Sequence, residues 1–143
     1  MDVVWTPTRD DIENANVTRL MRANGIETFA ELRARSVADI AWFWDAVVQD
    51  LGIEFIDPYV DVVDRSRGPE WATWFTQGTI NLAHQCVDLW AERTPDAVAV
   101  VWEGEDGEVR QATYAELRAL TDRLTNALAT LGVRPRHTVG IYL

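Results

Sequence analysis

The chain has 143 residues, a formal net charge of −10 and 48% apolar residues, and it contains seven tryptophans. This length allows one domain, or a small domain and the start of another, and the apolar content excludes a disordered chain. The negative charge argues against nucleic acid or an anionic membrane as a partner. Cys86 is the single cysteine, so an internal disulfide is excluded.

All 13 basic residues are arginine. Chemistry that needs a lysine, such as a Schiff base or the lysine of a phosphate loop, is therefore excluded within these residues. Residues 1–16 carry acids close to Met1 and no apolar core, so they do not resemble a signal peptide. No apolar run approaches the length of a membrane span. We therefore expect a cytoplasmic protein.

The first third of the chain predicts helices. One helix begins after the N-cap Thr8, continues through apolar positions at helical spacing and ends at Gly25. A short second helix is capped by Thr28, with Glu31 three residues later.

Ser36 is predicted to cap a third helix, which ends at Gly52 and has an apolar face. That face carries Ile40, Phe43, Trp44, Val47, Val48 and Leu51. Residues 1–52 are therefore interpreted as a helical N-terminal cap.

Residues 53–80 predict an irregular segment, because prolines and glycines interrupt it and only Tyr59–Asp64 favours a short strand. A long loop that carries several aromatic side chains is expected to wrap another surface and to be held there by those rings. The expected anchors are Trp71, Trp74 and Phe75, together with Trp90 further along the chain.

From Asn81 the pattern changes to alternating helices and strands. A helix is predicted up to Pro95, followed by a buried strand at 97–102, a turn at Asp106-Gly107 and a returning strand. Thr113 and Glu116 then form a capping box before a helix with a leucine stripe.

Gly132 is predicted to end this helix, and residues 138–143 are predicted to begin a further strand. A buried strand needs neighbours for its backbone N–H and C=O groups, and no turn follows Leu143. We therefore expect an incomplete α/β fold.

Local chemistry does not predict a site. His84 and Cys86 lie two apart on a helix and so make a poor metal pair, and Cys86 is better interpreted as a small buried apolar residue. Acids that could act in acid–base catalysis lie at helix starts and turns, where structural roles are expected: Asp10, Asp11, Asp61, Asp64, Glu103, Glu105 and Asp106. Neither Ser36 nor Ser66 lies in a nucleophile elbow. We assign no catalytic, cofactor-binding or metal-binding residue.

Four motifs follow one another along the chain. Phe43-Trp44 is the first, and Trp74-Phe75 with Gly78 and Asn81 is the second. The third is Cys86 with Asp88, and the fourth is Trp102–Glu105 with Thr113-Tyr114 and Glu116-Leu117. In this order and spacing they resemble the N-terminal region of acetyl-CoA synthetases and related short-chain acyl-CoA synthetases, of the adenylate-forming superfamily.

The chain departs from that resemblance at several positions. Gln77 stands where the family usually has the first glycine of a Gly-Gly pair, Ile80 where leucine is usual, and Gln85 where asparagine is usual. Residues 135–139 replace the usual Gly-Asp-Arg-Val before the last strand. These differences affect the expected substrate subtype rather than the family.

The resemblance implies a helical cap (1–52), an aromatic-rich wrapping segment (53–80) and the truncated start of an AMP-binding, adenylating domain (81–143). The complete enzyme would be an acid–CoA ligase that uses ATP, Mg²⁺ and coenzyme A to convert a carboxylic acid into an acyl-adenylate and then an acyl-CoA. The chain itself is expected to bind none of these cofactors, to need the remainder of the polypeptide, and to self-associate when made alone. The alternative is a stand-alone, non-catalytic interaction module derived from such an enzyme.

Overall fold

The computed structural model describes residues 3–142, which form two units that divide between Ile80 and Asn81. The first unit contains four helices: α1 (Arg9–Asn14), α2 (Asn16–Ala23), α3 (Phe29–Ala38) and α4 (Ile40–Leu51). The cap predicted at Thr8 is confirmed, since its hydroxyl accepts from the N–H of Asp11 while the Asp11 carboxylate accepts from the N–H of Thr8. The α4 stop predicted at Gly52 is also confirmed, with φ at 61°.

The prediction of one helix up to Gly25 was wrong, because α1 and α2 are separate helices. Ala15 between them is extended, with φ −64° and ψ 140°. The hydroxyl of Thr18 donates to the carbonyl of Ile12, which stabilises the end of α1 without a continuous helix.

The prediction that Ser36 caps the third helix was also wrong. Ser36 lies within α3, where its hydroxyl donates to the carbonyl of Arg33 at 3.0 Å. Asp39 caps α4 instead, because its carboxylate accepts from the N–H of Trp42 at 2.9 Å. Serine can bond back to its own helix, whereas aspartate favours the position where a helix begins.

Buried apolar side chains from α2, α3, α4 and the turn after α2 form the core of the first unit. They are Leu20, Ile26, Leu32 and Val48, each at most 7% exposed. Gly25 adopts φ 65°, and the N–H of Ile26 then donates to the carbonyl of Met21 at 2.9 Å. This left-handed turn directs Ile26 back into the core.

A bidentate ion pair joins α2 to α4. The guanidinium of Arg19 donates to both carboxylate oxygens of Asp50, at 3.0 and 2.8 Å. The Asp50 side chain is 13% exposed, and these hydrogen bonds hold its pKa below the usual 3.8. The pair therefore fixes the angle between the two helices when Asp50 is ionised.

Asp50→Asn is expected to lower the free energy of unfolding by about 0.5–1 kcal/mol at neutral pH, because Arg19 loses its ionised partner. A depressed pKa in the folded state means that the contribution is present above about pH 4 and is lost below it. Urea unfolding near pH 7 and near pH 2 measures this effect. The same difference between variant and unchanged chain at both pH values would contradict it.

Residues 53–80 are folded back on themselves by backbone hydrogen bonds. A short antiparallel pair joins β1 (Val63–Asp64) to β2 (Thr73–Trp74), and an isolated bridge joins Asp57 to Thr79. Pro69–Trp71 forms one 3₁₀ turn between the strands. The predicted short strand is thus confirmed at its last two residues.

The second unit contains a helical stretch, a hairpin and a long helix. A π-helical turn at His84–Asp88 leads into α5 (Leu89–Arg93). The hairpin of β3 (Val98–Glu103) and β4 (Val109–Thr113) turns at Gly107, where φ is 80°, as predicted. The capping box of Thr113 and Glu116 is confirmed at the start of α6 (Tyr114–Thr130).

Three predictions for this unit were wrong. The strand at 97–102 is not buried, since Val98 is 50% and Val101 is 61% exposed. Cys86 is exposed rather than buried. Residues 138–142 are not in a strand, and the two sheets of the described residues do not include them. Leu143, the end of that prediction, lies outside the described residues.

Candidate functional site

The first unit contains an aromatic cluster, formed where the segment 53–80 folds onto α4. Neighbouring rings lie 4.9 to 6.4 Å apart between centroids, mostly edge to face. Its members are Phe43, Trp44, Phe55, Tyr59, Trp74 and Phe75. Such pairs stabilise by about 0.5–1.5 kcal/mol beyond the area that they bury. The cluster therefore holds an otherwise irregular segment in place.

One hydrogen bond connects the cluster to a charge. The hydroxyl of Tyr59 donates to the carboxylate of Asp45 on α4. This hydrogen bond, followed by burial, raises the pKa of Tyr59 above its usual 10. Tyr59 therefore stays protonated at neutral pH and serves as a fixed donor rather than as an acid–base group.

The cluster is closed by a turn with unusual backbone angles. Phe75 has φ 48° and Gln77 has φ 63°, a region that residues with a Cβ rarely adopt. The N–H of Phe75 donates to the carbonyl of Val62 at 2.8 Å, and its ring contacts those of Phe55 and Tyr59, with centroids 5.7 and 5.2 Å away. These contacts maintain the strained conformation.

Gln77→Gly is expected to raise the free energy of unfolding by about 0.5–1 kcal/mol. Relief of the left-handed strain exceeds the added flexibility of glycine in the unfolded chain. Urea unfolding measures the change. Ala34→Gly, in the middle of α3, is the matched control and should lower stability by about 1 kcal/mol. If Gln77→Gly and Ala34→Gly lowered the free energy of unfolding by the same amount, the prediction would be contradicted.

The predicted anchors have different environments. Trp74 and Phe75 lie in the aromatic cluster, and Trp90 stacks on Tyr114 with centroids 6.0 Å apart. Trp71 is 65% exposed in its 3₁₀ turn, so its prediction as an anchor is not met by the described residues. Sequence alone could not separate it from Trp74, three residues later.

Three of the acids singled out in the sequence, Asp11, Asp64 and Asp106, have local structural roles. Asp11 completes the cap of α1, and its hydrogen bonds with Thr8 lower its pKa. Asp64 accepts from the N–H of Ser66 at 2.8 Å, which lowers its pKa as well. Asp106 accepts from the N–H of Glu108 at 3.0 Å in the hairpin turn. These contacts explain the acids without assigning them to catalysis.

The charged side chains of the helical stretch in the second unit also have nearby ionic partners. A ring nitrogen of His84 lies 3.6 Å from the carboxylate of Asp88, one turn later. Arg118 on α6 lies 3.5 Å from Asp88 and 3.5 Å from Glu92. In the part of the chain that the structure describes, no three His, Cys, Asp or Glu side chains converge on a metal position. No helix there is long and apolar enough to cross a membrane.

The second unit leaves a row of apolar side chains uncovered, here called the open stripe. It follows one face of α6 at helical spacing and consists of Leu120, Leu124, Ala127 and Leu131, all exposed. Leu124 is 61% and Leu131 is 80% exposed, whereas Leu117 and Leu128 on the neighbouring face are partly covered. A stripe of this kind indicates an interaction surface.

Two family profiles match consecutive parts of the chain. The profile described as the N-terminus of acetyl-coenzyme A synthetase matches residues 29–86, and that of the AMP-binding enzymes matches residues 87–143. The chain belongs to the acetyl-CoA synthetase-like family and corresponds to the N-terminal region of its enzymes. The aromatic cluster lies in the first matched part, residues 29–86, and the open stripe lies in the second, residues 87–143.

Individual relatives agree with this assignment of the chain, which is called the synthetase region below. It is 37% identical to acetyl-coenzyme A synthetase of Mycolicibacterium smegmatis, over 97% of this chain and 14% of the relative. It is 35% identical to that of Streptomyces coelicolor, over 97% and 19%. The chain thus spans about a fifth or less of these relatives.

A solved structure shows the same fold. The synthetase region superimposes on acetoacetyl-CoA synthetase from Streptomyces lividans with a TM-score of 0.82 and 31% identity. The match covers 94% of this chain and 22% of that one. The mixed helices and small sheets therefore match part of an acyl-CoA synthetase fold, as the resemblance predicted.

Proposed function

We propose that this chain is the N-terminal structural portion of an ATP-dependent, AMP-forming short-chain acyl-CoA synthetase. The observation that carries the proposal is the consecutive match of both family profiles, from residue 29 to residue 143. The open stripe supports it, since a row of exposed leucines on a long helix needs a covering surface. The remainder of the synthetase polypeptide is the proposed covering partner.

The residues present do not suit the cofactors of the complete reaction. ATP and coenzyme A carry clustered phosphates, whereas this chain contains no lysine and has a net charge of −10. For Mg²⁺, no three His, Cys, Asp or Glu side chains converge within the described residues. We therefore assign the binding of all three, and of the carboxylic acid, to other parts of the enzyme. The acid is proposed to be short, such as acetate, propionate or acetoacetate. The proposed compartment remains the cytoplasm.

The parts of the chain have different proposed tasks. Residues 1–52 form the helical cap, and residues 53–80 fix it through the aromatic cluster. Residues 81–143 begin the adenylating domain, and α6 presents the open stripe to the rest of that domain. The contribution to catalysis is thus indirect, through a correctly assembled domain.

A chimera tests the proposal. The chain replaces the matching region of acetoacetyl-CoA synthetase from Streptomyces lividans, and carboxylate-dependent ATP–pyrophosphate exchange is measured. We expect the chimera to be active, and we expect this chain alone to show no exchange. Activity of the chain alone would overturn the assignment, and a folded but inactive chimera would favour the stand-alone module.

Paired variants of α6 make this test specific. Leu124→Glu places a carboxylate in the open stripe and should lower exchange by the chimera at least tenfold, since an unpaired buried charge costs several kcal/mol. Asn126→Glu places the same charge on the opposite side of the helix and should leave exchange unchanged. Equal activities of the two variants would contradict a covered stripe.

A further inference from the structure

Three consecutive large apolar side chains precede α1 without any cover. Val3 is 79%, Val4 is 101% and Trp5 is 68% exposed. Residues 3–7, here called the N-terminal strap, have no helical or strand structure. Single exposed apolar residues are ordinary, but a run of three near the start of a folded unit is not.

The same unit has an apolar cleft of about 360 Å³ between α2, α3 and α4. Its apolar lining is provided by Val17, Leu20, Phe29, Leu32, Phe43, Val47 and Leu51. Two lining residues, Phe29 at 63% and Leu51 at 57%, are largely exposed. The volume is within the range of pockets that hold a compact apolar group.

The strap is long enough to reach this cleft. The six residues of α1 span about 9 Å along the helix axis. Two residues lie between Trp5 and Thr8, so the two Cα atoms are three steps apart and reach about 10 Å in extended form. Trp5 folded back along α1 therefore comes level with the start of α2, where Asn16 and Val17 line the cleft.

The polar and charged side chains that line the cleft are Asn16, Arg33, Ser36 and Asp50. Arg33 is exposed, and its long side chain can keep the guanidinium in water while its methylene groups are covered. Asp50 has both carboxylate oxygens bonded to Arg19, so covering that edge would bury no unpaired carboxylate. Ser36 and Asn16 also line the cleft, and their oxygens have acceptor capacity for an indole N–H. An apolar body with one donor, such as tryptophan, matches this lining.

We propose that the N-terminal strap closes onto the cleft as an intramolecular lid, with Trp5 as its main contact. The lid pivots at the residues just before α1, because the cap between Thr8 and Asp11 fixes the helix itself. Closure buries the exposed run and the cleft lining together, at a small entropic cost for so short a segment. This inference does not depend on the proposed enzymatic function.

Thermal unfolding of the chain tests the lid. Trp5→Ala is expected to lower the midpoint by about 4–8 °C. Val37→Ala is the control, because Val37 is 79% exposed on α3 and does not line the cleft. With the strap open, Trp5→Ala removes only exposed surface, so equal midpoints for both variants would overturn the proposal.

Cross-linking supplies a second readout that does not rest on stability. In a Cys86→Ser background, Thr6→Cys, which leaves Trp5 in place, is combined with Val17→Cys. This pair should form an intrachain disulfide several times faster than Thr6→Cys combined with Val37→Cys. Equal rates would overturn the lid. A disulfide-linked dimer whose yield rises with protein concentration would also overturn it, since the cleft would then accept a second copy.

Discussion

Replacing Leu32 with alanine is expected to lower the free energy of unfolding of the first unit by about 3 kcal/mol. Leu32 is 4% exposed and lies in the core formed by α2, α3 and α4. The substitution removes buried methyl groups and enlarges the adjoining cleft, and both effects destabilise the folded state. Urea unfolding followed by near-ultraviolet circular dichroism measures the change.

Val37→Ala is the appropriate control for this measurement. Val37 lies on the same helix but is 79% exposed, so its truncation should change stability by less than about 0.5 kcal/mol. If Leu32→Ala cost no more than Val37→Ala, the core would not lie where the structure places it.

Gly78→Ala is expected to cost about 1–3 kcal/mol, for a different reason. A Cβ at this position would lie 3.0 Å from the ring carbons Cδ1 and Cε1 of Phe55 and 3.0 Å from the carbonyl oxygen of Phe75. The Phe55 ring contacts both Tyr59 and Phe75, so it cannot move aside without disturbing the aromatic cluster. Overpacking of this kind destabilises folded proteins by such amounts.

Gly140→Ala is a matched substitution in open space. No atom lies within 4 Å of a Cβ at position 140, and the backbone there is not left-handed. Its urea midpoint should equal that of the unchanged chain. A Gly78→Ala midpoint that is also unchanged would show that Phe55 does not press on the turn.

Local rules were sufficient to predict much of the secondary structure. Thr8 and Thr113 are caps because a hydroxyl three residues before an acid satisfies helix-end N–H groups, and Gly52 and Gly107 occupy left-handed turns. Each of these features depends on neighbours within four residues. The sequence carries all of that information.

Features that depend on distant contacts were predicted poorly. Ser36 and Asp39 are both residue types that cap helices, and the sequence did not show that α3 continues through Ser36 and that α4 begins after Asp39. Apolar composition predicted a buried strand at 97–102, but burial requires a covering surface that the described residues do not provide. Residues 138–142 likewise belong to neither sheet of the described residues, although their apolar pattern is typical of a strand.

The aromatic motifs were found by resemblance, and the structure supplies their physical reason. Phe43, Trp44, Trp74 and Phe75 meet in one cluster, although about thirty residues separate the two pairs. The glycine usual in the family at position 77 suits the φ of 63° that Gln77 adopts here. No local pattern could have predicted that angle.

The open stripe also affects how the proposed synthetase is made. The relatives continue for several hundred residues beyond the part that this chain matches, since it spans about a fifth of their length. At about 5–20 residues per second, a ribosome needs tens of seconds to synthesise the remainder. In the proposed synthetase, Leu120, Leu124 and Leu131 would stay uncovered on the nascent chain until the part that covers them has been synthesised. A chaperone that shields exposed leucines would be needed most during this interval.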